Sequence, residues 1–485
     1  MKLTRNQSSW CLLVVMMIAY IGLFLVYFPR LGAIDDENGF INQAIVWSKG
    51  AMSAEGAGYT TLQDFQEIQG RHVPSRHPGR SLFALPFLMA FGLPGVFFSG
   101  MLLHLMMTVI GALLLSRLGR SPLWAVLLLF HPTLALYSRT ALADGASGMF
   151  LMLAAFATLS SQGRGIFSGI AVGLAALMRA HAGMTLPIVA ASLRYPPRGP
   201  KPWRDVASCL LAGIACGGIN MGYNLILYGS LIDPFSSRRG YFAAEFLVPN
   251  ALFYAGCLTL IWPGMFLAPV FDRSPIRWLV RGVCGLNFVL FSFYYFHDDS
   301  PRFLETIVIG QRLIQVALPL WIISYVGMID EIVWARWKSR LSRHTRMGLI
   351  ALGMLVLCMS TGVMFAQHQH HLERSKAERD AFAAIAPGGS LVVRYGNIQK
   401  LFGIPLDSKT YRFAALEFNG QTLDVSHEIA AESQVWYLVV LDSALGDSLP
   451  SSVSDLIRRE GLTEIPVAPP RLHVYISQGG PRGKF

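Results

Sequence analysis

The sequence predicts a polytopic α-helical membrane protein of about 11 transmembrane helices, ending in a small extracytoplasmic α/β domain. Three observations carry this fold class. Of the 485 residues, 53% are hydrophobic and only 14% are charged, against roughly 25% charged in a soluble globular chain. Apolar runs recur between Trp10 and Phe365, separated by short polar connectors. The basic residues crowd into alternate connectors, as orientation in a membrane demands. The formal net charge of +11 is thus scattered among loops and gathers into no nucleic-acid-binding stripe, so a nucleic-acid partner is excluded.

The first run, Trp10 to Phe28, follows Lys2 and Arg5 and lacks a small-residue cleavage site. It reads as a retained signal anchor with its N-terminus in the cytoplasm. The connector from Pro29 to Arg80 then lies outside and opens on Asp35-Asp36-Glu37. Three carboxylates beside a bilayer repel one another and are costly to desolvate, so they need a cation, a proton to abstract or a helix N-terminus. From Glu37 onward, Phe40, Ile41, Ala44 and Ile45 recur at helical spacing, with Glu37, Asn38, Asn42, Gln43 and Lys49 between them. This pattern predicts a helix lying in the interface plane, with Asp35 or Asp36 as its N-cap. The same connector ends in Arg71-His72-Val73-Pro74-Ser75-Arg76-His77-Pro78-Gly79-Arg80. Arginines crowded at an outer membrane entry run against the positive-inside tendency and point to an anion. A long loop that simply tolerates charge is the plain alternative.

Further spans are expected at about Leu93 to Leu118, Leu123 to Tyr137 and Leu142 to Ser160. Two short runs follow, Gly165 to Met178 and Ala182 to Leu193. Both fall below the roughly 20 residues of a straight crossing and read as broken helices enclosing a cavity. Val206 to Tyr228, Ala251 to Phe271, Trp278 to Phe296, Thr306 to Met328 and Gly348 to Phe365 complete the set. Alternation then puts Arg117, Arg120, Arg164, Arg194, Arg198, Lys201, Arg204, Arg273, Arg277, Arg336, Lys338, Arg340, Arg343 and Arg346 inside. Arg139, Arg179, Arg238, Arg239 and Arg302 fall outside, and the inward excess supports the assignment. The membrane domain is residues 1–366, with the outer loop 29–80 carrying the acidic motif. The outer domain is residues 367–485, where helix Leu372 to Ala386, strands Ser390 to Tyr395, Val435 to Leu441 and Leu472 to Ser477, and helix Ser451 to Glu460 are expected. His368-Gln369-His370-His371 reads as a wet juxtamembrane turn more readily than as a metal site. Cys11, Cys209, Cys216, Cys257, Cys284 and Cys358 fall within apolar runs and indicate no disulfide framework.

Asp36-Glu37, Phe40, Ala44 and Gly50 resemble, in kind and interval, the motif that follows the first span of GT-C superfamily glycosyltransferases. Arg76-His77-Pro78-Gly79 resembles the Pro-rich signature closing their first outer loop, with Gly where the family has a second proline. Asp144 in Ser138-Arg139-Thr140-Ala141-Leu142-Ala143-Asp144 resembles their acidic residue at the start of the fourth span. Gly173-Leu174-Ala175-Ala176-Leu177-Met178-Arg179 resembles their Gly-Leu-Ala segment ending in a basic residue. The resemblance spans residues 10 to 330 and is to the group of protein O-mannosyltransferases and aminoarabinose transferases that draw sugars from polyprenyl-phosphate donors. It implies an inverting transferase in a bacterial inner (plasma) membrane. Its partners would be the polyprenyl-phosphate sugar, a lipid, glycan or protein acceptor, and membrane lipid. It also implies that Asp36 is the base and that Asp144 assists, by orienting the acceptor or by helping to hold a divalent cation; no cofactor or metal ligand set is otherwise indicated.

Chemistry alone asks for the same residue types. An attacking hydroxyl needs a carboxylate to take its proton, and a departing lipid phosphate needs positive charge placed in advance. Asp36 is the first candidate base, and a slip of one residue would make Asp35-Asp36 the working pair in place of Asp36-Glu37. Arg76, Arg80 and Arg179 suit a phosphate because the guanidinium fork makes bidentate bonds, and His77 and Arg139 join them as substrate-binding candidates. Asp144 reads equally as a helix N-cap, Arg179 as an interfacial anchor, and His131 and His181 as structural. A flippase for lipid-linked sugars is the alternative function, though few polar groups at mid-membrane supply a path. A scaffold is a third, with more spans than an anchor needs.

Overall fold

The structure is a computed structural model that describes residues 5–30, 32, 35–54, 65–194, 202–231, 242–294, 303–334, 342–385, 391–395, 412–419, 422–425, 436–441, 451–466 and 472–477. The predicted outer-loop arginines Arg238, Arg239 and Arg302, and the inner Arg198, Lys201, Arg336, Lys338 and Arg340, lie outside the described residues. The chain divides into two compact units. One is Met1–Phe28 with His77–His368, and the other is Pro29–Arg76 with Gln369–Phe485.

The first unit is helical, and among the described residues five helices are long and apolar enough to cross a membrane: Gln7–Val26, Leu93–Arg117, Pro202–Tyr228, Ala244–Ile261 and Met347–Glu373. Between them the chain is more broken than its hydropathy suggests, and proline is the reason. The expected span Leu123 to Tyr137 divides into Val126–Leu129 and Pro132–Tyr137 at His131, whose helical conformation the following proline disfavours. Ala182 to Leu193 becomes a 3₁₀ turn, Ala180–Thr185, and a short helix, Leu186–Ser192, with Pro187 in its first turn. Pro263 and Gly264 separate Leu247–Ile261 from Ala268–Phe271, which has Pro269 in its first turn. Thr306 to Met328 is three pieces, Phe303–Gly310, Leu313–Val316 and Leu318–Met328. Pro78–Phe91 is a helix absent from the sequence reading, divided from Leu93–Arg117 by Gly92.

Arg164–Met178 is unbroken and packs between Asp144–Thr158 and Pro202–Tyr228. Gly165, Gly169 and Gly173 form a stripe on it, and a Cβ on these would lie 2.2, 2.2 and 2.4 Å from Asp205 O, Cys209 O and Cys216 Cβ. Small residues four apart are the membrane device for bringing backbones this close. Arg343–Ile385 runs as one helix of 43 residues, where a span and a separate helix were expected on either side of a turn at His368. Nothing between Ala366 and His371 is Pro or Gly, so nothing ends it.

In the second unit, helix Asp35–Ser48 precedes a hairpin of β1 (Phe65–Ile68) and β2 (Arg71–Pro74). Both turn residues have positive φ, Gln69 at 53° and Gly70 at 75°, the backbone that two-residue hairpins of this twist require. The helix does not lie half-exposed at an interface. Phe40, Ile41 and Ala44 are buried, and so are Glu37, Asn38, Asn42 and Gln43. In the C-terminal part, β3 (Leu391–Tyr395), β4 (Arg412–Asn419), β5 (Thr422–Val425), β6 (Trp436–Leu441), β7 (Thr463–Ile465) and β8 (Leu472–Ile476) form one mixed sheet ordered β5-β4-β3-β6-β8-β7. β3 pairs in parallel with both β4 and β6 and the other pairs are antiparallel. Helix Ser451–Arg459 contributes buried Val453 and Leu456. β4, β5 and β7 are strands the sequence reading left unassigned.

Candidate functional site

At the resembled motifs each unit holds a carboxylate clasped by an arginine. In the second unit, Asp36 is the second residue of helix Asp35–Ser48 and Arg76 follows β2. Arg76 Nη2 lies 2.5 Å from Asp36 Oδ1, with Arg76 6% and Asp36 31% exposed. The helical period explains the geometry: Asp36, Phe40 and Gln43 share one face at i, i+4 and i+7. Gln43 Nε2 donates to the Arg76 carbonyl at 2.8 Å, and the guanidinium sits 5.4 Å over the Phe40 ring. One helix face therefore grips Arg76 at head, middle and backbone. Glu37 is fully buried beside it, close to Gly32, and His77 is half-buried at the start of the first unit. Asp35 opens the helix, so Asp36 is not its N-cap; the Asp35 side chain lies outside the described residues.

In the first unit, Asp144 begins helix Asp144–Thr158 and is 2% exposed; Ala143 occupies the N-cap position. The N-cap reading of Asp144 therefore gives way to a residue inside the first turn, where the helix dipole favours an anion. Its Oδ2 lies 2.5 Å from Arg179 Nη2. Arg179 ends helix Arg164–Met178 in extended conformation, φ −143° and ψ 112°, before the 3₁₀ turn. Gly79 holds this corner, since a Cβ there would come within 2.7 Å of the Leu177 carbonyl carbon and oxygen. The second proline of the resembled signature would collide with that backbone, so glycine at this position matches the packing.

Arg80 and Arg139 are placed differently. Arg80, 1% exposed, donates from Nε to Leu142 O at 3.2 Å, from Nη1 to Ser99 Oγ at 2.7 Å, and from Nη2 to Val96 O at 3.2 Å and Thr140 O at 3.5 Å. Fully buried Arg139 donates to Phe365 O at 2.8 Å and to Tyr27 O, with its guanidinium 4.6 Å over the Phe365 ring. Both are braces on the loop that delivers Asp144. Among the described residues no group of three or more His, Cys, Asp or Glu gathers to hold a metal ion.

The sequence reading passed over Gln311 and Gln315. Both are buried, Gln311 just before Leu313–Val316 and Gln315 within it, and that turn packs on helix Asp144–Thr158. Two glutamines four residues apart within an apolar run are their only sequence signal. His181 stands two residues beyond Arg179 against Phe291, with 5.0 Å between ring centroids.

No family model matches the chain, and no curated protein sequence does. Solved structures do. ArnT from Cupriavidus metallidurans in the apo state superposes with a TM-score of 0.63 at 12% identity, over 99% of this chain and 100% of that one. The same protein bound to undecaprenyl phosphate gives 0.60 at 12% identity, over 98% and 99%. The chain has the polytopic membrane fold of ArnT over its whole length.

Proposed function

We propose that this chain is an integral-membrane glycosyltransferase of GT-C type that moves a sugar from a polyprenyl-phosphate donor to an acceptor hydroxyl outside the inner membrane. The observation that carries the reading is the whole-length fold likeness to a structure holding undecaprenyl phosphate, joined to two acid–arginine pairs that link the four resembled motifs two by two. In this reading Asp36 takes the acceptor proton as the new bond forms at the anomeric carbon. The bond from that carbon to the phosphate oxygen breaks on the opposite face, which inverts the centre, and the electron pair leaves with the lipid phosphate. Arg179 and Arg76, planar and charged, favour that developing charge. Asp144 holds Arg179 in its fork geometry until phosphate competes for it. Arg80 and Arg139 support the Asp144 loop.

The test uses purified full-length protein, synthetic polyprenyl-phosphate sugars and an envelope extract as acceptor. The parent transfers sugar. Asp36→Asn lowers the rate by about 10² to 10⁴-fold, the usual worth of a general base, with donor binding retained, and Asp35→Asn has a milder effect. Movement of the donor across the bilayer with no new glycosidic bond in the parent would establish a flippase instead. Near-parental transfer by Asp36→Asn would remove Asp36 as base.

A further inference from the structure

Next to Asp144 the first unit keeps buried Gln315, with buried Gln311 four residues before it, and among the described residues neither carboxamide is fully satisfied. Gln315 is 1% exposed, and its Oε1 has no hydrogen-bond partner among the described residues. Its Nε2 lies 3.2 Å from where a Cβ on Gly145, the residue after Asp144, would stand. Gln311 is fully buried, and neither its Oε1 nor its Nε2 has a partner among the described residues. The two sit four residues apart on consecutive tight turns, marked by Arg312 N to Ile309 O at 2.9 Å, Gln315 N to Arg312 O at 3.1 Å and Ala317 N to Ile314 O at 3.0 Å. His181 Nε2, buried and likewise unpartnered among the described residues, lies within electrostatic reach of both Asp144 and Arg179.

A buried amide group without a partner costs about 1 to 3 kcal/mol, so proteins seldom keep several together without a ligand or water to meet them. The atoms on offer identify the ligand class. A carboxamide presents an acceptor and two donors without charge. This suits neither a phosphate, which accepts only, nor a lipid tail, which does neither. It suits a ring of hydroxyls, each of which donates and accepts. We infer that Gln315 and Gln311 bind the hydroxyl groups of the transferred sugar and set which sugar the protein accepts. The inference rests on the proposed transferase reading and deepens it: Arg179 meets the phosphate, and the glutamines meet the glycosyl group attached to it.

The test separates sugar from phosphate. Binding to full-length protein in nanodiscs is measured for undecaprenyl phosphate and for the same lipid phosphate carrying glucose, mannose, N-acetylglucosamine, arabinose or aminoarabinose. In the parent, at least one glycosylated lipid binds more tightly than the bare lipid phosphate. Gln315→Leu leaves bare-phosphate affinity unchanged and removes about 10-fold of the gain due to sugar, as one lost hydrogen bond of typical worth predicts. Gln311→Leu does the same independently, which keeps the test open should one variant fold poorly, and Gln315→Asn changes the rank order of sugars. The inference is overturned by a sugar-dependent gain that survives in both Leu variants, as structural waters on the glutamines would produce, or by a parent that binds no glycosylated lipid more tightly than the bare one. A parent that binds no polyprenyl phosphate at all removes the transferase reading itself, and the two failures are distinct.

Discussion

Arg76, Arg80 and Arg179 carry the same guanidinium, and their neighbours assign them different work. Arg179 meets a carboxylate, Arg76 a carboxylate and an aromatic face, and Arg80 three backbone carbonyls and a serine. Removing Arg80 takes a donor from the buried Leu142 and Thr140 carbonyls and from Ser99, while Val96 O keeps Ser99 Oγ; each buried group left unpaired costs about 1 to 3 kcal/mol. Arg80→Met is therefore expected to lower the thermal midpoint and the yield of folded protein in detergent, with the remaining folded fraction binding polyprenyl phosphate normally. Arg179→Lys keeps the charge beside Asp144 but loses the planar fork. Normal folding with donor affinity weakened about 10-fold or more is expected, read as a raised KM with a smaller change in kcat. Equal stability of the two variants would undo this division. At this scale the sequence identified acids and arginines by type but could not separate a ligand from a brace. That distinction depends on long-range neighbours such as Leu142 for Arg80 and Phe365 for Arg139. The glutamines were invisible for a related reason: lack of a partner is a property of the folded surroundings.

Leu93–Arg117 was found almost to the residue, and Gln7–Val26 and Pro202–Tyr228 closely, whereas Ala244–Ile261 was expected later in the chain and the helix beginning at Arg343 runs past its expected end at Phe365. Leu123 to Tyr137, Ala251 to Phe271 and Thr306 to Met328, with proline inside the apolar run, were read as continuous, because hydropathy does not register the lost backbone donor, whereas Ala182 to Leu193 was read as broken and is. The hairpin β1–β2 was read as loop although Gln69-Gly70 is a turn signal, since its strands are only four residues each. The buried polar face of Asp35–Ser48 was taken for a wet one, because a periodic pattern shows that two faces differ and not what covers them. Close packing of Arg164–Met178 was legible in principle from Gly165, Gly169 and Gly173, and it positions Arg179 at the helix end. Gly169→Leu puts a branched side chain where even a Cβ meets Cys209 O at 2.2 Å. Overpacking of a tight core costs about 1 to 3 kcal/mol or more, so this variant should lose thermal stability and donor binding together. Gly217→Leu on Pro202–Tyr228, where a Cβ meets nothing within 4 Å, should lose neither. Parental stability for Gly169→Leu would mean that the helices are not held in this contact.

Across the first unit, contacts sort the connectors into two sets. Arg164 pairs with Asp205 at 2.6 Å, Arg120 with Glu331 at 2.8 Å, and Arg117 with Ser160 at 3.0 Å, and all six residues lie in connectors or at span ends that alternation places inside. Arg139 reaches Tyr27 and Phe365, and Asp144 reaches Arg179, all at ends that alternation places outside. The Arg164–Asp205 pair bears on the hardest step, because ends that touch lie on one side and the chain between them must cross an even number of times. If Arg164–Met178 crosses once, as the sequence predicts, Ala180–Ser192, short and broken as it is, is expected to supply the return. Contacts alone do not say which set faces the cytoplasm; by the positive-inside tendency the arginine-rich set is expected to. The C-terminal unit, which follows Phe365 along one helix, is then expected outside the cytoplasm. Alkaline phosphatase, active only outside the cytoplasm, is therefore expected to be inactive when fused after Gln162 and active when fused after Phe485. A fusion after Gly183, within the turn that follows Arg179, is expected to be active as well. Activity after Gln162 would invert the whole arrangement and put Asp144 and Arg179 on the cytoplasmic side, away from any extracytoplasmic donor. An inactive Gly183 fusion beside an active Phe485 fusion would leave the orientation standing and remove the separate crossing at Ala180–Ser192.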